Sequence, residues 1–327
     1  MRHLQIGLLG AARIAPHGIV QPVQAEQRAT LVAVAARDPE RAAAFAREHG
    51  IARVHKDYAA LIDDPEIDLV YIATPPAFHA EWALRALDAG KHVLVEKPFS
   101  LTTAEAQRVF DRAGHRQRHV FEAMHAIHHP LFRRTRELVR SGVIGQVRHV
   151  ASSFDVTITN QADFRWQGAM GGGALMDLGV YPLAFVRALL GDAFVVDRAH
   201  AALRTDTDTA FSARLRYRDG AIAMISASMT APFKSNLVIE GERGRIVATN
   251  PVVPHRGNKL VVEAPDVVID EEVIGPTSWT AQLHAICDTL IDGVPFALPA
   301  NDFVRSMAAI EQIRTAGEWP ALRENTI

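Results

Sequence analysis

Four short apolar runs, residues 4–9, 31–36, 69–73 and 92–95, punctuate the first 120 residues, and stretches with helical spacing separate them. This alternation constrains the fold more than any other feature of the chain. Each run is too short for a helix and apolar on both faces, which suits a strand covered on both sides. Parallel neighbours of that kind need a crossover, and the crossover is right-handed. Residues 39–49, 58–62, 79–89 and 103–113 supply the helices, with Asp57 and Ser100 or Thr102 placed as N-caps and Gly50 and Gly90 as C-caps. The pattern predicts a doubly wound α/β parallel sheet.

After residue 122 the pattern changes. A helix over 131–141 is followed by longer strand-like segments at 147–159, 209–218, 221–229, 237–249 and 260–268, with turn residues at Asp219-Gly220 and Glu242-Arg243-Gly244. Consecutive strands with tight turns predict a large, mostly antiparallel open sheet in an α+β domain. Arg214, Arg216 and Arg218 alternate with Ala213, Leu215 and Tyr217, so one face is polar or covered by something else. Two helices, 278–292 and 302–316, end the pattern. The expected division is a first domain at 1–122 and a second at 123–327, two being the ordinary number for 327 residues.

Charge and composition narrow the partners. The 35 Lys and Arg against 37 Asp and Glu leave a formal net charge of −2, which offers no electrostatic footprint for nucleic acid or an anionic membrane. No apolar run approaches the ~20 residues of a membrane helix. The start Met1-Arg2-His3-Leu4 runs straight into a strand and reads as no signal peptide. The single cysteine, Cys287, can form no internal disulfide, so the expected compartment is the reducing cytoplasm.

The first strand runs into Gly10-Ala11-Ala12-Arg13-Ile14-Ala15. A dinucleotide turn needs glycine at the bend, a small residue where backbone meets pyrophosphate, and a small residue for helix–strand packing. Gly10, Ala12 and Ala15 take those places, and the N–H groups around Arg13 and Ile14 at the helix start are the expected anion donors. The second strand ends at Ala35-Ala36-Arg37-Asp38. A fork of donors at Arg37, where NAD enzymes carry an acid, suits a 2′-phosphate. This favours NADP(H) as cofactor, with NAD possible, against a reading of Arg37 as a solvated loop charge.

Two further clusters carry chemistry. Glu96-Lys97-Pro98 follows the strand at 92–95, so a lysine stands at the carboxyl end of a parallel strand, where open α/β sheets bind ligands. It can stabilise charge on a substrate oxygen or lower the pKa of a nearby phenol. Taken alone, the motif also reads as a surface ion pair. The second cluster, Gly171-Gly172-Gly173-Ala174-Leu175-Met176-Asp177-Leu178-Gly179-Val180-Tyr181, places Asp177 and Tyr181 four apart on one helical face. A carboxylate beside a phenol can hold a hydroxyl and relay its proton. The glycines imply close approach of the backbone to a ligand or to another part of the fold.

Together with Tyr71-Ile72-Ala73-Thr74-Pro75-Pro76-Ala77-Phe78-His79 and Ala89-Gly90-Lys91-His92-Val93-Leu94-Val95-Glu96-Lys97-Pro98, these motifs resemble the Gfo/Idh/MocA family of oxidoreductases across essentially the whole chain. The likeness is to its branch of dimeric dihydrodiol and NADP-linked D-xylose dehydrogenases. The resemblance implies an N-terminal Rossmann domain and a catalytic trio of Lys97, Tyr181 as acid/base and Asp177 as substrate-positioning acid. It implies that Thr74, Pro75 and His79 line the cofactor's ribose and pyrophosphate, that Glu96 and Lys97 adjoin the cofactor, and that Arg165 and Trp166 lie near it. It also implies a homodimer or homotetramer through the C-terminal sheet.

The chain departs from the family where Glu122-Ala123-Met124-His125-Ala126-Ile127-His128-His129-Pro130 stands for an aromatic-Arg-x-His-Pro pattern. That segment faces substrate in the family, so His125 and Ile127, with Phe154, Asp177 and Tyr181, are the expected substrate residues. Its three histidines sit on neighbouring, diverging positions, and no metal site is expected. The activity implied is hydride transfer between NADP(H) and a secondary alcohol or ketone of a sugar, polyol or cyclic diol. The alternative is a non-catalytic NADP-binding sensor on the same fold, and redox-assisted glycoside elimination with bound NAD is a third reading.

Overall fold

The structure, a computed structural model, describes residues 3–265, 267–320 and 322. The described chain divides into two compact units, one of residues 3–123 with Trp279–Met307, the other of Met124–Ser278 with 308–320.

The first unit is built on β1 (Leu4–Leu9), β2 (Ala29–Ala35), β3 (Arg53–Val54), β4 (Leu69–Ile72), β5 (His92–Val95) and β6 (Val120–Glu122), in the order β3-β2-β1-β4-β5-β6. Every pairing is parallel. The crossovers are α1 (Gln21–Ala25), entered through a π-helical turn at Pro16–Val20, α2 (Pro39–His49), α3 (Tyr58–Ile62), α4 (His79–Asp88) and α5 (Thr103–Arg116). Caps start these helices where the sequence places them: Asp57 accepts from the Ala60 amide, and Thr102 forms a capping box with Glu105. The strand order reverses between β1 and β4, and a sheet of this order binds ligands at the carboxyl ends of the strands flanking that point.

The expected second domain at 123–327 is corrected here. The chain first crosses at Ala123, but Trp279–Met307 belongs with the first unit. The reason is burial: Leu283, Ile286 and Cys287 complete the apolar core formed by Leu4, Ile6, Leu8, Leu69, Tyr71 and Leu94. At roughly 1.5–3 kcal/mol per buried aliphatic side chain, that packing holds the returning helix firmly.

The second unit contains α6 (Pro130–Arg140), β7 (Val147–Asp155), α7 (Val180–Leu190), β8 (Phe194–Arg204), β9 (Thr207–Tyr217), β10 (Ile222–Ser228), β11 (Lys234–Gly241), β12 (Gly244–Thr249), β13 (Lys259–Ala264) and β14 (Val267–Glu271). The sheet order is β14-β13-β12-β11-β7-β10-β9-β8, antiparallel except for the parallel pair β7–β10. The run at 237–249 is two strands, β11 and β12, joined through Glu242-Arg243. The edge strand β8 carries little apolar alternation, which hid it from the sequence pattern, and the run at 260–268 is β13 with the start of β14. Ala213, Leu215 and Tyr217 of β9 are buried, while Arg214 and Arg216 lie on the other face and pair with Asp197. The last helices, α8 (Ser278–Asp292) and α9 (Asp302–Ala316), carry the chain from the second unit into the first and back.

Gly168–Leu190 is, among the described residues, the one helical stretch long and apolar enough to cross a membrane, and 83% of its apolar window is buried inside the protein. It serves as the core helix of the second unit.

Candidate active site

At the carboxyl end of β1, Gly10 has φ +99°, and a Cβ there would lie 2.9 Å from the Ala73 carbonyl oxygen after β4. Only glycine turns the chain this closely past the neighbouring strand. Thr74 follows, buried, with its hydroxyl lacking any hydrogen-bond partner within the protein. Ala12 and Ile14 are half-buried and Arg13 is exposed along the turn, with Pro75 half-buried across from them on its own loop. A glycine cradle and an orphaned buried hydroxyl fit the pyrophosphate and ribose of a dinucleotide.

At the tip of β2, Asp38 is committed to capping α2, accepting from the Glu40 amide at 3.0 Å and the Arg41 amide at 3.4 Å. That leaves exposed Arg37 as the charged side chain at the tip itself. Arg41, which sequence reasoning passed over, donates to the Ala11 carbonyl at 2.7 Å and lays a guanidinium against the turn that follows β1. Its position in the first turn of α2, beside the cap, was the available signal.

Lys97 is half-buried just beyond β5, and its peptide bond to Pro98 is cis. The residues flanking it are tied inward. Glu96 accepts from the buried Tyr71 hydroxyl at 2.5 Å. His79 is completely buried, with Nδ1 2.9 Å from the Pro98 carbonyl and Nε2 2.8 Å from the Thr74 carbonyl. The resemblance placed His79 against the cofactor. The structure instead encloses the ring as a tie between the Thr74 loop and the Lys97-Pro98 loop. Full burial outweighs the pull of the two carbonyls and holds its ring at about 4.

In the second unit Asp177 lies in a π-helical turn, Leu175–Gly179, which leads into α7 and Tyr181. Each expected partner has found a group from elsewhere in the chain. Asp177 accepts from Arg165 Nε at 2.7 Å, and Arg165 Nη1 also meets Asp163 at 3.2 Å. The two carboxylates hold the guanidinium above its ordinary range against the opposing effect of burial. The Tyr181 hydroxyl lies 2.9 Å from His125 Nε2, and His125 Nδ1 lies 2.8 Å from Ser278 Oγ. The phenol ring is wedged edge-on between His125 and Phe154, with centroids 5.3 and 5.5 Å away. Ile127 is buried in the same short helical segment as His125. Trp166 is half-buried and donates to the Asn160 carbonyl at 3.1 Å. His129 spends Nδ1 on the Leu131 amide as the cap of α6. Among the described residues, no group of three or more His, Cys, Asp or Glu could hold a metal.

The glycine run is explained within the second unit. A Cβ on Gly172 would lie 2.4 Å from the Arg165 carbonyl, and one on Gly173, at φ +118°, would lie 2.2 Å from Asp208 Oδ1. Asp208 reaches from β9 to accept the Leu175 amide at 2.7 Å, with buried Arg314 at 3.9 Å as counter-charge. Its carboxylate thus caps the turn that carries Asp177 and Tyr181. Neither Asp208 nor Ser278 carries a sequence signal that points to this site.

A parallel-sheet unit with a dinucleotide turn, followed by an α+β unit holding a fixed phenol and an acid–guanidinium pair, defines a nucleotide-dependent oxidoreductase. Residues 4–124 match the model described as an oxidoreductase family with an NAD-binding Rossmann fold, and residues 132–247 match the GFO/IDH/MocA C-terminal domain. The chain belongs to the Gfo/Idh/MocA family of oxidoreductases. It is 30% identical to a dTDP-3,4-didehydro-2,6-dideoxy-alpha-D-glucose 3-reductase of Actinomadura kijaniata, over 95% of each chain. It is 32% identical to a D-xylose 1-dehydrogenase (NADP(+)) of Haloferax volcanii, over 98% of this chain and 99% of that one. The crystal structure of a 3-ketoreductase from Actinomadura kijaniata in complex with NADP and TDP-benzene superposes with a TM-score of 0.90 at 28% identity, covering 96% of this chain and 98% of that one.

Proposed function

We propose that this protein is an NADP-dependent dehydrogenase or reductase that exchanges a hydride between NADP(H) and a secondary alcohol or ketone carbon of a sugar, polyol or cyclic diol. The observation that carries the reading is Tyr181: a buried phenol locked between two rings, its oxygen in a hydrogen bond and its helix held by Asp208. A phenol so fixed can pass a proton to or from a substrate oxygen without reorganising. When bound, the nicotinamide accepts or supplies the hydride. Lys97 stabilises charge developing on the substrate oxygen. Asp177, oriented by Arg165, holds a second substrate hydroxyl, and His125, Ile127 and Phe154 shape the substrate's surroundings. Gly10, Ala12, Arg13, Ile14, Thr74 and Pro75 hold the pyrophosphate and ribose. Arg37 pairs the 2′-phosphate, which the capping role of Asp38 leaves uncontested by an acid. Glu96, through Tyr71, and His79 set the loops that carry Lys97 and Thr74. Arg165 and Trp166 complete the coenzyme surroundings. The names of the relatives support the substrate class, a dTDP-deoxyglucose reductase and a D-xylose dehydrogenase, and NADP(+) in the name of the latter supports the coenzyme.

Val195 and Met224 are exposed on the arginine-bearing face of the large sheet, and a second copy of the chain is the proposed partner there. The cytoplasm is the proposed compartment, consistent with a buried Cys287 whose thiol is pushed up to about 12.

The test is Lys97→Ala and Tyr181→Phe assayed with NADP⁺ against a panel of sugars, polyols and cyclic diols. Each substitution is expected to lower kcat by about 10²–10⁴-fold, with NADPH affinity by fluorescence titration within a few-fold of wild type. Nearly full kcat in both variants overturns the reading.

A further inference from the structure

Three buried side chains in the second unit form a continuous chain: Tyr181 Oη, His125 Nε2 at 2.9 Å, His125 Nδ1, and Ser278 Oγ at 2.8 Å. Ser278 is fully buried, His125 is 3% exposed and Tyr181 is 5% exposed. His125 lies 56 residues from Tyr181 and 153 from Ser278, so the fold alone brings them together. A neutral imidazole has one N–H and one lone pair, and each of its nitrogens here faces a hydroxyl.

We infer that His125 and Ser278 form a proton relay behind Tyr181, in which Ser278 Oγ accepts from Nδ1–H and so leaves the Nε2 lone pair facing the phenol. The inference rests on the reading of Tyr181 as acid/base. In the oxidation direction the substrate O–H bond breaks and its proton bonds to Tyr181 Oη. The phenol's own proton moves to His125 Nε2 in the same step. The carbinol C–H electron pair leaves as hydride to the oxidised coenzyme, and the C=O bond forms. A neutral imidazole thus becomes imidazolium, which accounts for the one proton that alcohol oxidation releases. Reduction runs the sequence backwards. Ser278 accepts from Nδ1–H in both states, so the serine need not turn between them. The opposite polarity, with Ser278 donating to Nδ1, places a proton on Nε2 and leaves the ring unable to accept one from the phenol. Ser278 is therefore a positioning residue that sets the histidine tautomer, and His125 is the group that moves the proton.

The experiment combines ¹⁵N spectroscopy of the histidine-labelled, coenzyme-free full chain with steady-state kinetics. Wild type is expected to show His125 protonated at Nδ1 and bare at Nε2, and Ser278→Ala to shift it toward the Nε2–H tautomer. Ser278→Ala is expected to lower kcat about 10–100-fold with KM within about twofold, and His125→Phe to lower kcat by about 10²-fold or more. A wild-type His125 that carries its proton on Nε2 overturns the relay, as does a Ser278→Ala variant with unchanged tautomer and kcat. Tyr181→Phe is the separating control. If it keeps wild-type kcat, the reading of Tyr181 itself fails. If it is inactive while the His125 tautomer is wrong, only the relay fails.

Discussion

The two units hold their functional groups by different means. In the first, position comes from topology: Gly10, Thr74 and Lys97 all stand just beyond the carboxyl ends of neighbouring parallel strands, and register alone sets them side by side. In the second, position comes from side chains reaching across the unit, with His125 meeting Tyr181 and Ser278, and Asp208 meeting the Leu175 amide. One device is common to both. Each glycine-led helix opens with a π-helical turn, and each turn carries a glycine against an aromatic ring, Gly18 against Tyr71 and Gly179 against Phe211. The widened turn admits a ring at the base of the helix, and glycine is the residue that leaves room for it. What differs is the use of the other glycines. Gly10 clears space for the Ala73 backbone of the neighbouring strand, at the turn proposed to hold the nucleotide, whereas Gly173 clears space for a carboxylate that reaches across the unit to cap a helix.

That difference predicts opposite defects. Gly173→Ala forces a side chain into φ +118° and into Asp208 Oδ1, so it displaces a buried charged cap. The expected loss is roughly 3–5 kcal/mol of stability, from backbone strain plus the lost charged hydrogen bond. Urea unfolding reads it directly as a lower midpoint. Gly10→Ala meets the Ala73 carbonyl at 2.9 Å and is expected to lose about 1–2 kcal/mol of stability, with its main effect on nucleotide affinity. If Gly173→Ala instead folds normally and fails only to bind nucleotide, the contrast between the units collapses.

The same contrast explains what was legible in the sequence. Strands β1, β2, β4 and β5 and their helices were readable because a buried parallel strand is written as one apolar run. Gly10, Arg37 and Lys97 were readable because each sits at a fixed offset from such a run. Ser278 and Asp208 were not, because nothing local marks a serine or aspartate whose partner lies on a distant element. The glycine run signals a close approach without naming its partner, and the spacing that sets Asp177 and Tyr181 on one helical face does not reveal that Arg165 and His125 engage them. The return of Trp279–Met307 to the first unit was hidden for a related reason: Leu283, Ile286 and Cys287 look like any amphipathic helix face, and the pattern does not say which core receives it.

Acid should separate the units through two buried histidines. His79 in the first unit faces two carbonyls that can receive an imidazolium's protons, and its ring is held at about 4. His128 in the second is pushed down to about 3 by burial and by Arg133 and Arg136. Both fall below the ordinary value of 6.5, so the unfolded chain binds protons first. The stability that depends on their neutral form is complete above about pH 6.5 and is lost as pH falls toward the folded values. For His128 this is roughly 2 kcal/mol at pH 5. His128→Gln is expected to flatten the acid limb of a stability-versus-pH curve between pH 6.5 and 4. An unaltered limb means that His128 is not the group that carries it.

The smallest predicted effects come from adjacent residues at the tip of β2 and sharpen the account of the first unit. Arg37 and Asp38 are consecutive, yet Asp38 serves the helix by capping α2, while Arg37 is exposed and proposed to serve the coenzyme. Arg37→Ala is expected to weaken NADPH binding about tenfold, the loss of one charge-assisted contact, leaving NADH binding and the melting temperature almost unchanged. Asp38→Ala is expected to lower stability by about 1 kcal/mol, the usual cost of a lost N-cap, while the ratio of NADPH to NADH affinity stays near wild type. Because α2 also carries the Arg41 that holds the Ala11 carbonyl, a frayed cap weakens both nucleotides by the same small factor. A variant of Asp38 that changes the coenzyme ratio more than Arg37→Ala does would mean that the carboxylate, not the guanidinium, reads the 2′ position.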